Sequence, residues 1–181
     1  WATASIEQGI NVLFFGIGAK SGFLRKLESI LSETAPVLRI DGNSPALLRP
    51  TSRGKHFETA ILREVIALVS KKGVAPPQTW SLPTLWATVE RFLGPPAAPF
   101  KHAQYAGNGG GGALPPPKLA FIIESIDSDA LVKDFSSMET LARIACLEKV
   151  VVLGSTESVY APLSWTSAQR QRFSWTWAPL D

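Results

Sequence analysis

The sequence is poor in cysteine and histidine, and it has no long apolar run. Its single cysteine, Cys146, excludes an intrachain disulfide bond and favours a reducing compartment. The two histidines, His56 and His102, are far apart in the sequence, and we expect no metal site. No apolar run approaches the roughly 18 residues that span a bilayer, so we expect no membrane segment.

The composition is that of one globular domain whose basic residues are gathered in its first half. With 181 residues, of which 45% are hydrophobic, the chain can bury a core of ordinary size. The net charge of +3 is too small to indicate nucleic acid by itself. Residues 20–72 hold ten Lys or Arg against five Asp or Glu, whereas residues 119–148 hold two against six. Any positive surface is therefore expected from the first half of the chain.

Short apolar segments alternate with amphipathic segments along most of the chain. This alternation predicts an α/β fold in which a parallel five-stranded sheet is flanked by helices. Such sheets bind ligands beyond the carboxyl ends of their strands. The predicted strands are Asn11–Phe15, Val37–Ile40, Leu119–Ile123, Val150–Leu153 and Phe173–Trp177. The predicted helices are Gly22–Leu31, Phe57–Val69, a helix that Ser81 can cap, and Phe135–Ala145.

Residues 94–117 interrupt this pattern with six prolines and six glycines. Such a composition predicts a surface insertion or a flexible loop and not a packed element. Its four consecutive glycines lack the preceding strand and the following helix that a phosphate-binding loop needs. We therefore expect one domain over residues 1–181 that carries this insertion.

The turn after the first strand has the residue types of a phosphate-binding loop but not their spacing. Gly16, Gly18, Lys20 and Ser21 follow an apolar strand and precede a helix. A working loop reads GxxxxGK followed by Ser or Thr, and here Ala19 takes the place of the glycine before the lysine. Lys20 could neutralise a phosphate at the helix N-terminus, or it could be an ordinary solvated lysine. We expect no bound nucleotide cofactor.

The apolar strand Leu119–Ile123 runs into a second degenerate motif. A nucleoside triphosphatase of this class needs one acid that holds Mg²⁺ and a second that activates water. Glu124 stands at the first of these positions, but Ser125 takes the second, and the next acid is Asp127. Because both motifs are defective, we expect no hydrolysis and no catalytic residue.

A basic loop follows the second predicted strand. Residues 43–56 hold Arg49, Arg53, Lys55 and His56 and no acid. Basic side chains on a loop can contact the phosphates of a nucleic acid backbone, although an ordinary solvated loop has the same composition. These four residues are our candidates for DNA binding.

Three segments together resemble subunit 2 of the eukaryotic origin recognition complex. Residues 11–24 resemble that family's strand and nucleotide loop, and residues 119–127 resemble its degenerate second motif. The most specific segment is 150–177, where Ala161-Pro162-Leu163-Ser164-Trp165 precedes Phe173-Ser174-Trp175-Thr176-Trp177. Tryptophan is rare, so three tryptophans at this spacing are hard to obtain by chance.

The resemblance implies a non-catalytic AAA+-like base domain with an architectural role in ring assembly, origin DNA binding and DNA replication initiation. It implies other subunits of the complex and double-stranded DNA as partners, and the nucleus as the location. The C-terminal winged helix that is usual in the family is not expected within these residues. Two other functions stay open: a nucleotide-binding regulatory ATPase of the same fold, and an α/β adaptor that binds only protein.

The final segment holds residues that we expect to be structural or to contribute to a subunit interface. Alternation along the last strand places the rings of Phe173, Trp175 and Trp177 on one face. Rings of this size bury about 150–250 Å² each, so we expect core packing as their main role. These residues are Pro162, Trp165, Phe173, Trp175 and Trp177.

Overall fold

A five-stranded parallel sheet organises the part of the chain that the computed structural model describes, residues 9–44, 57–70, 79–96 and 117–180. The strands lie in the order β2-β3-β4-β1-β5, and every neighbouring pair is parallel, which confirms the predicted sheet. The strands are β1 (Val12–Phe15), β2 (Val37–Asp41), β3 (Leu119–Glu124), β4 (Val150–Thr156) and β5 (Thr176–Pro179). The helices are α1 (Ser21–Ser32), α2 (Phe57–Ser70), α3 (Leu82–Leu93), α4 (Asp129–Lys133), α5 (Phe135–Ala145) and α6 (Ser167–Phe173), with a short 3₁₀ helix at Ala161–Ser164.

Different helices cover the two faces of the sheet. On one face lies α1, whose Leu24, Leu27 and Leu31 are buried with side chains of β1, β3 and β4. On the other face the buried side chains of α2, α3 and α5 form the larger core. Because both faces are covered, all seven residues of β4 are buried. Since the strands are parallel, their carboxyl ends meet at one edge of the sheet, which we call the carboxyl edge.

A buried asparagine joins the sheet to two helices. Asn11 immediately precedes β1 and is 1% exposed. Its side-chain nitrogen donates to the carbonyl oxygens of Ala145 (3.1 Å) and Phe173 (2.7 Å), and its oxygen accepts from the N–H of Val152 (2.9 Å). A buried amide that lacked these partners would destabilise the fold. One side chain therefore fixes β1 and β4 relative to the ends of α5 and α6.

The last strand begins later than the sequence predicts. Phe173 ends helix α6, Ser174 has a left-handed backbone (φ 46°), and β5 begins two residues after it. The prediction that Phe173 starts a strand, with three aromatic rings on one face, is therefore wrong. The cause is a helix signal just upstream, because the side chains of Thr166 and Gln169 cap the start of α6 reciprocally.

The aromatic rings of this segment separate into two groups. Phe173 and Trp175 stack with 4.9 Å between ring centroids, and Trp165 lies 5.7 Å from Phe173. Trp165 is 4% exposed and Phe173 is 0% exposed, and both belong to the larger core. Trp177 is instead 38% exposed, and its ring meets that of Phe15 edge-on at 5.6 Å. Packing therefore accounts for the first three rings, while Trp177 lies at the surface of the outermost strand.

Two further expectations meet the described residues only in part. Of the insertion predicted at 94–117, residues 97–116 lie outside the described ranges. At its start, Gly94 ends α3 and Pro96 forms an antiparallel bridge with Leu147. Within the described ranges, no helix has the length and apolar character needed to cross a membrane.

Candidate functional site

The turn after β1 and the end of β3 lie side by side at the carboxyl edge. Gly16, Gly18 and Lys20 belong to the turn, and Ser21 begins α1. The hydroxyl of Ser21 donates to Oε1 of Glu124, the last residue of β3. The structure thus brings together the two degenerate motifs that the sequence separates. Their arrangement is that of a phosphate loop beside its metal-binding strand.

The turn after β1 is too short and too closely covered to hold a phosphate. Five residues separate Phe15 from Ser21, so the full GxxxxGK pattern does not fit between strand and helix. Gly16 has a φ of 144°, and a Cβ at this position would lie 2.2 Å from the carbonyl oxygen of Leu180. The backbone that follows β5 therefore fills the space beside the first glycine of the turn.

The amine of Lys20 is turned back onto the turn that precedes it. Its Nζ donates to the carbonyl oxygens of Gly16 (2.6 Å) and Gly18 (3.1 Å), and the residue is 8% exposed. In a phosphate loop the corresponding lysine reaches the β- and γ-phosphates. Here its hydrogen bonds are made within the protein. The sequence offered a choice between a phosphate-binding and a solvated lysine, and this inward position is neither.

Arg39 holds the carboxylate of Glu124 together with Ser21. Nη2 of Arg39 donates to Oε2 of Glu124 at 2.6 Å, and Nη1 donates to Oε2 of Glu28 at 3.1 Å. The side chains of Arg39 and Glu124 are 23% and 17% exposed. The arginine therefore connects edge strand β2, helix α1 and the end of β3. Sequence reasoning missed Arg39, since no motif marks an arginine within a strand. We call Ser21, Glu28, Arg39 and Glu124 the Glu124 network.

The contacts within the Glu124 network outweigh the effect of burial on its central carboxylate. Burial raises the pKa of Glu124, but hydrogen bonds from Ser21 and Arg39 and the charges of Arg39 and Arg25 lower it more. The pKa of Glu124 therefore lies below its ordinary value. The same hydrogen bond raises the pKa of Arg39 above its usual range. Both groups are ionised at neutral pH.

The polar residues that follow β3 make structural contacts. Ser125 has a φ of 52°, and its N–H donates to Oγ of Ser155 in β4 at 3.1 Å. Asp127 accepts from the N–H groups of Glu157 (3.2 Å) and Ser158 (3.1 Å). Its carboxylate thus holds the turn after β4 in place. The one acid near enough in sequence to replace the missing catalytic acid is therefore bonded to backbone.

A metal-bound nucleotide does not fit these residues. A cation at Glu124 would lie against the guanidinium of Arg39, which already shares the carboxylate. The carbonyls of the turn accept from Lys20, and Asp127 is held by backbone amides. Among the residues the structure describes, no group of three or more His, Cys, Asp or Glu side chains could hold a metal ion.

The remaining predicted site residues lie in two other parts of the chain. Arg49, Arg53, Lys55 and His56 fall outside the described ranges, so DNA binding by this loop stays a prediction. Pro162 lies in the 3₁₀ helix that follows β4, where it is partly buried and its carbonyl accepts from the N–H three residues later (3.2 Å).

Sequence reasoning missed four exposed apolar side chains that lie in the segments following β1 and β4. They are half to fully exposed, from 51% to 102%. One follows β1 and three follow β4, and these two strands are paired. Residues 157–169 hold a single charged side chain, Glu157. We call this set, Ile17, Val159, Tyr160 and Leu163, the apolar edge surface.

The parallel sheet, the glycine turn before α1 and the acid at the end of β3 define a RecA-like or AAA+-like domain with degenerate nucleotide motifs. Residues 1–180 match the family described as the RecA-like domain of origin recognition complex subunit 2. The chain belongs to this family. Mouse origin recognition complex subunit 2 is 21% identical over 173 residues, which is 95% of this chain and 24% of that protein. The chain therefore spans about a quarter of the length of that relative.

Solved structures have the same fold. A chain of Drosophila ORC bound to DNA gives a TM-score of 0.65 at 17% identity, covering 98% of this chain and 84% of that chain. The Aeropyrum pernix Orc1 protein in complex with DNA gives a TM-score of 0.51 at 16% identity, covering 94% of this chain and 39% of that chain. The predicted AAA+-like fold is thereby confirmed.

Glu124→Gln should flatten the acid side of the stability profile. Because the folded pKa of Glu124 is lowered, its charged form stabilises the fold fully above the unfolded pKa of about 4.3. That contribution is lost as the pH falls through the lower folded pKa. The midpoint of urea unfolding should therefore fall more steeply between about pH 5 and pH 3 in the parent than in the variant.

The matched control for this profile is Asp129→Asn. Asp129 is 88% exposed and pairs with Lys133 on the same helix, so its removal should leave the acid slope nearly unchanged. Superimposable profiles of the parent and Glu124→Gln would show that the Glu124 network contributes nothing to the pH dependence.

Proposed function

We propose that this domain is a non-catalytic, architectural part of an origin recognition complex subunit that acts in the nucleus in DNA replication initiation. The observation that carries the proposal is that the charged groups of the degenerate nucleotide site are bonded within the chain. Lys20 donates to loop carbonyls, Glu124 accepts from Arg39, and Asp127 accepts from backbone amides. Because the lysine and the two acids of the site are bonded in this way, we infer that the domain contributes its shape and its surface to the complex and not catalysis.

The partners that we propose are other subunits of the complex and double-stranded DNA. The family is named for a subunit of a complex, which supports protein partners. Relatives of known structure include Drosophila ORC bound to DNA and an archaeal Orc1 protein in complex with DNA, which supports the second partner. Two parts of the chain have the matching chemistry, the apolar edge surface and the basic loop at residues 43–56.

The apolar edge surface suits a protein partner and not DNA. DNA binding relies on Lys and Arg side chains that neutralise phosphates. Charge is scarce on this surface, because the amine of Lys20 is turned inward and one acid lies in the segment after β4. Depletion of charge with exposed tyrosine and aliphatic side chains is typical of the core of a protein interface. We propose that another subunit of the complex covers this surface.

The basic loop suits the DNA backbone. It holds Arg49, Arg53, Lys55 and His56 and no acid over residues 43–56. Its basic side chains can bind phosphate oxygens, and such contacts position a protein on DNA without reading bases. Phosphate contacts give an affinity that falls with salt and hardly depends on sequence.

Charge on the apolar edge surface should prevent assembly. Tyr160→Glu together with Leu163→Glu places two carboxylates on side chains that are 72% and 76% exposed, so the fold should be retained. If Tyr160 and Leu163 lie near the centre of an interface, each substitution should weaken association by about ten-fold or more. The measurement is the yield of partner subunits co-purified with the full-length subunit.

Ile30→Glu is the control for this assembly experiment. Ile30 is 49% exposed on α1, outside the apolar edge surface, and its replacement should leave the yield of partners unchanged. Normal assembly of the double variant would remove this surface from the subunit interface.

Charge reversal in the basic loop should weaken DNA binding for any sequence. Arg49→Glu, Arg53→Glu and Lys55→Glu together should lower the affinity. They should also make the slope of log K against log salt concentration less steep, by up to about 0.9 per lost phosphate contact. The measurement is titration of DNA into the assembled complex at several salt concentrations. Lys133→Glu, at an exposed site that pairs with Asp129, is the control for charge reversal. An unchanged affinity and salt slope, with assembly intact, would remove the loop from the DNA interface.

A further inference from the structure

The loop hydroxyl and the strand acid, which both bind a metal ion in a phosphate-loop protein, bind each other here, and an arginine binds the acid as well. In such proteins the loop hydroxyl and the strand acid both hold Mg²⁺. In this chain the hydroxyl of Ser21 donates directly to Glu124, and the guanidinium of Arg39 lies 2.6 Å from the other oxygen of the same carboxylate. The cation at the end of β3 is therefore part of the polypeptide.

Arg39 makes its two contacts from a position that fixes it well. It lies in β2, where its backbone pairs with Ile122 of β3, two residues before Glu124. Its second contact, to Glu28 on α1, occupies the other arm of the guanidinium at 3.1 Å. With 23% of the side chain exposed, these charge-assisted bonds are shielded from much of the competing water.

We propose that Arg39 replaces the divalent cation of a nucleotide site. By holding the carboxylate that Ser21 binds, it keeps the start of α1 against the end of β3 without any ligand. The proposal rests on the proposed non-catalytic function and names the residue that maintains it. A guanidinium stays charged at every physiological pH. Because it is covalently attached, it cannot leave as a metal ion leaves with a hydrolysed nucleotide. The arrangement of the turn at residues 16–20 is then independent of nucleotide and of metal concentration.

The simpler explanation is an ordinary ion pair that contributes little, as most exposed pairs do. Two features argue against it. The side chains of Arg39 and Glu124 are both less exposed than that of Glu28, which is 37% exposed. The carboxylate of Glu124 also accepts a hydrogen bond from Ser21 on α1. Loss of Arg39 would leave a carboxylate that is 17% exposed without its hydrogen-bonded cation, and removal of one partner is the costly way to break such a pair.

The test is a double-mutant cycle on the 181-residue chain, measured by thermal unfolding at pH 7. Arg39→Gln and Glu124→Gln should each lower Tm by about 4–8 °C. The double variant should melt no lower than the worse single variant, because the two residues act as a unit. Glu28→Gln, which removes only the outer contact, should lower Tm by about 2 °C or less. If Arg39→Gln does not fold, Arg39→Lys takes its place, with a smaller fall expected because the charge is kept.

Two further readouts separate a substitute cation from a plain ion pair. Hydrogen exchange over residues 16–24 should become faster in Arg39→Gln and not in Glu28→Gln, because only the first change removes the cation from the carboxylate that Ser21 binds. Addition of Mg²⁺ at constant ionic strength should leave the Tm of the parent unchanged. Additive losses in the cycle, or unchanged exchange in Arg39→Gln, would overturn the proposal. So would a Mg²⁺-dependent rise in the parent Tm that Glu124→Gln abolishes.

The outcomes distinguish this proposal from the proposed function. Additive losses without nucleotide binding would remove the role of Arg39 and leave the domain non-catalytic. Non-additive losses together with nucleotide binding would keep Arg39 as a link between α1 and β3 but overturn the non-catalytic function.

Discussion

The carboxylate of Glu124 is the constraint on which the carboxyl edge of this domain depends. It ends an interior strand with 17% of its side chain exposed, and a shielded anion needs compensating partners. A nucleotide-binding protein of this fold class meets that need with a metal ion that arrives with its ligand. This chain meets it with Arg39 and Ser21. The start of α1, the edge strand β2 and the end of β3 are thereby joined by the polypeptide alone.

The other charged groups of the edge follow the same rule. The amine of Lys20 donates to a carbonyl of its own turn instead of to a phosphate. The carboxylate of Asp127 accepts from backbone N–H groups after β4. Large exposed apolar side chains lie in both turns, Ile17 in the first and Tyr160 in the second. Charged groups that are bonded within the chain, beside exposed apolar side chains, are typical of a surface that binds another protein. This is the physical basis of the architectural function that we propose.

Much of the fold follows from local patterns, but the contacts that define the site do not. Alternating apolar and amphipathic segments predict the sheet and four of its helices, and the spacing around Lys20 predicts a defective phosphate loop. Arg39 is invisible to such patterns, since its partner Glu124 lies 85 positions away and a lone arginine in a strand reads as a solvated residue. Asn11 is hidden for the same reason, because its three partners come together only in the folded chain.

The end of the chain shows how one pattern can conceal another. The alternation in Phe173-Ser174-Trp175-Thr176-Trp177 is typical of a strand, yet the first of these residues closes a helix. The signal for that helix, Thr166 followed three residues later by Gln169, was available in the sequence as a capping box. The exposed residues of the apolar edge surface could not be separated from core residues, because an apolar side chain carries no local mark of its exposure.

Titration calorimetry of the chain with ATP and Mg²⁺ tests the central claim most directly. The lysine and the two acids of the degenerate site, Lys20, Glu124 and Asp127, already have partners inside the protein, so we expect no heat of binding at millimolar nucleotide. Lys20→Ala should then be indistinguishable from the parent in this titration. A micromolar Kd in the parent that is lost in Lys20→Ala would show that the turn after β1 binds nucleotide, and it would contradict the account.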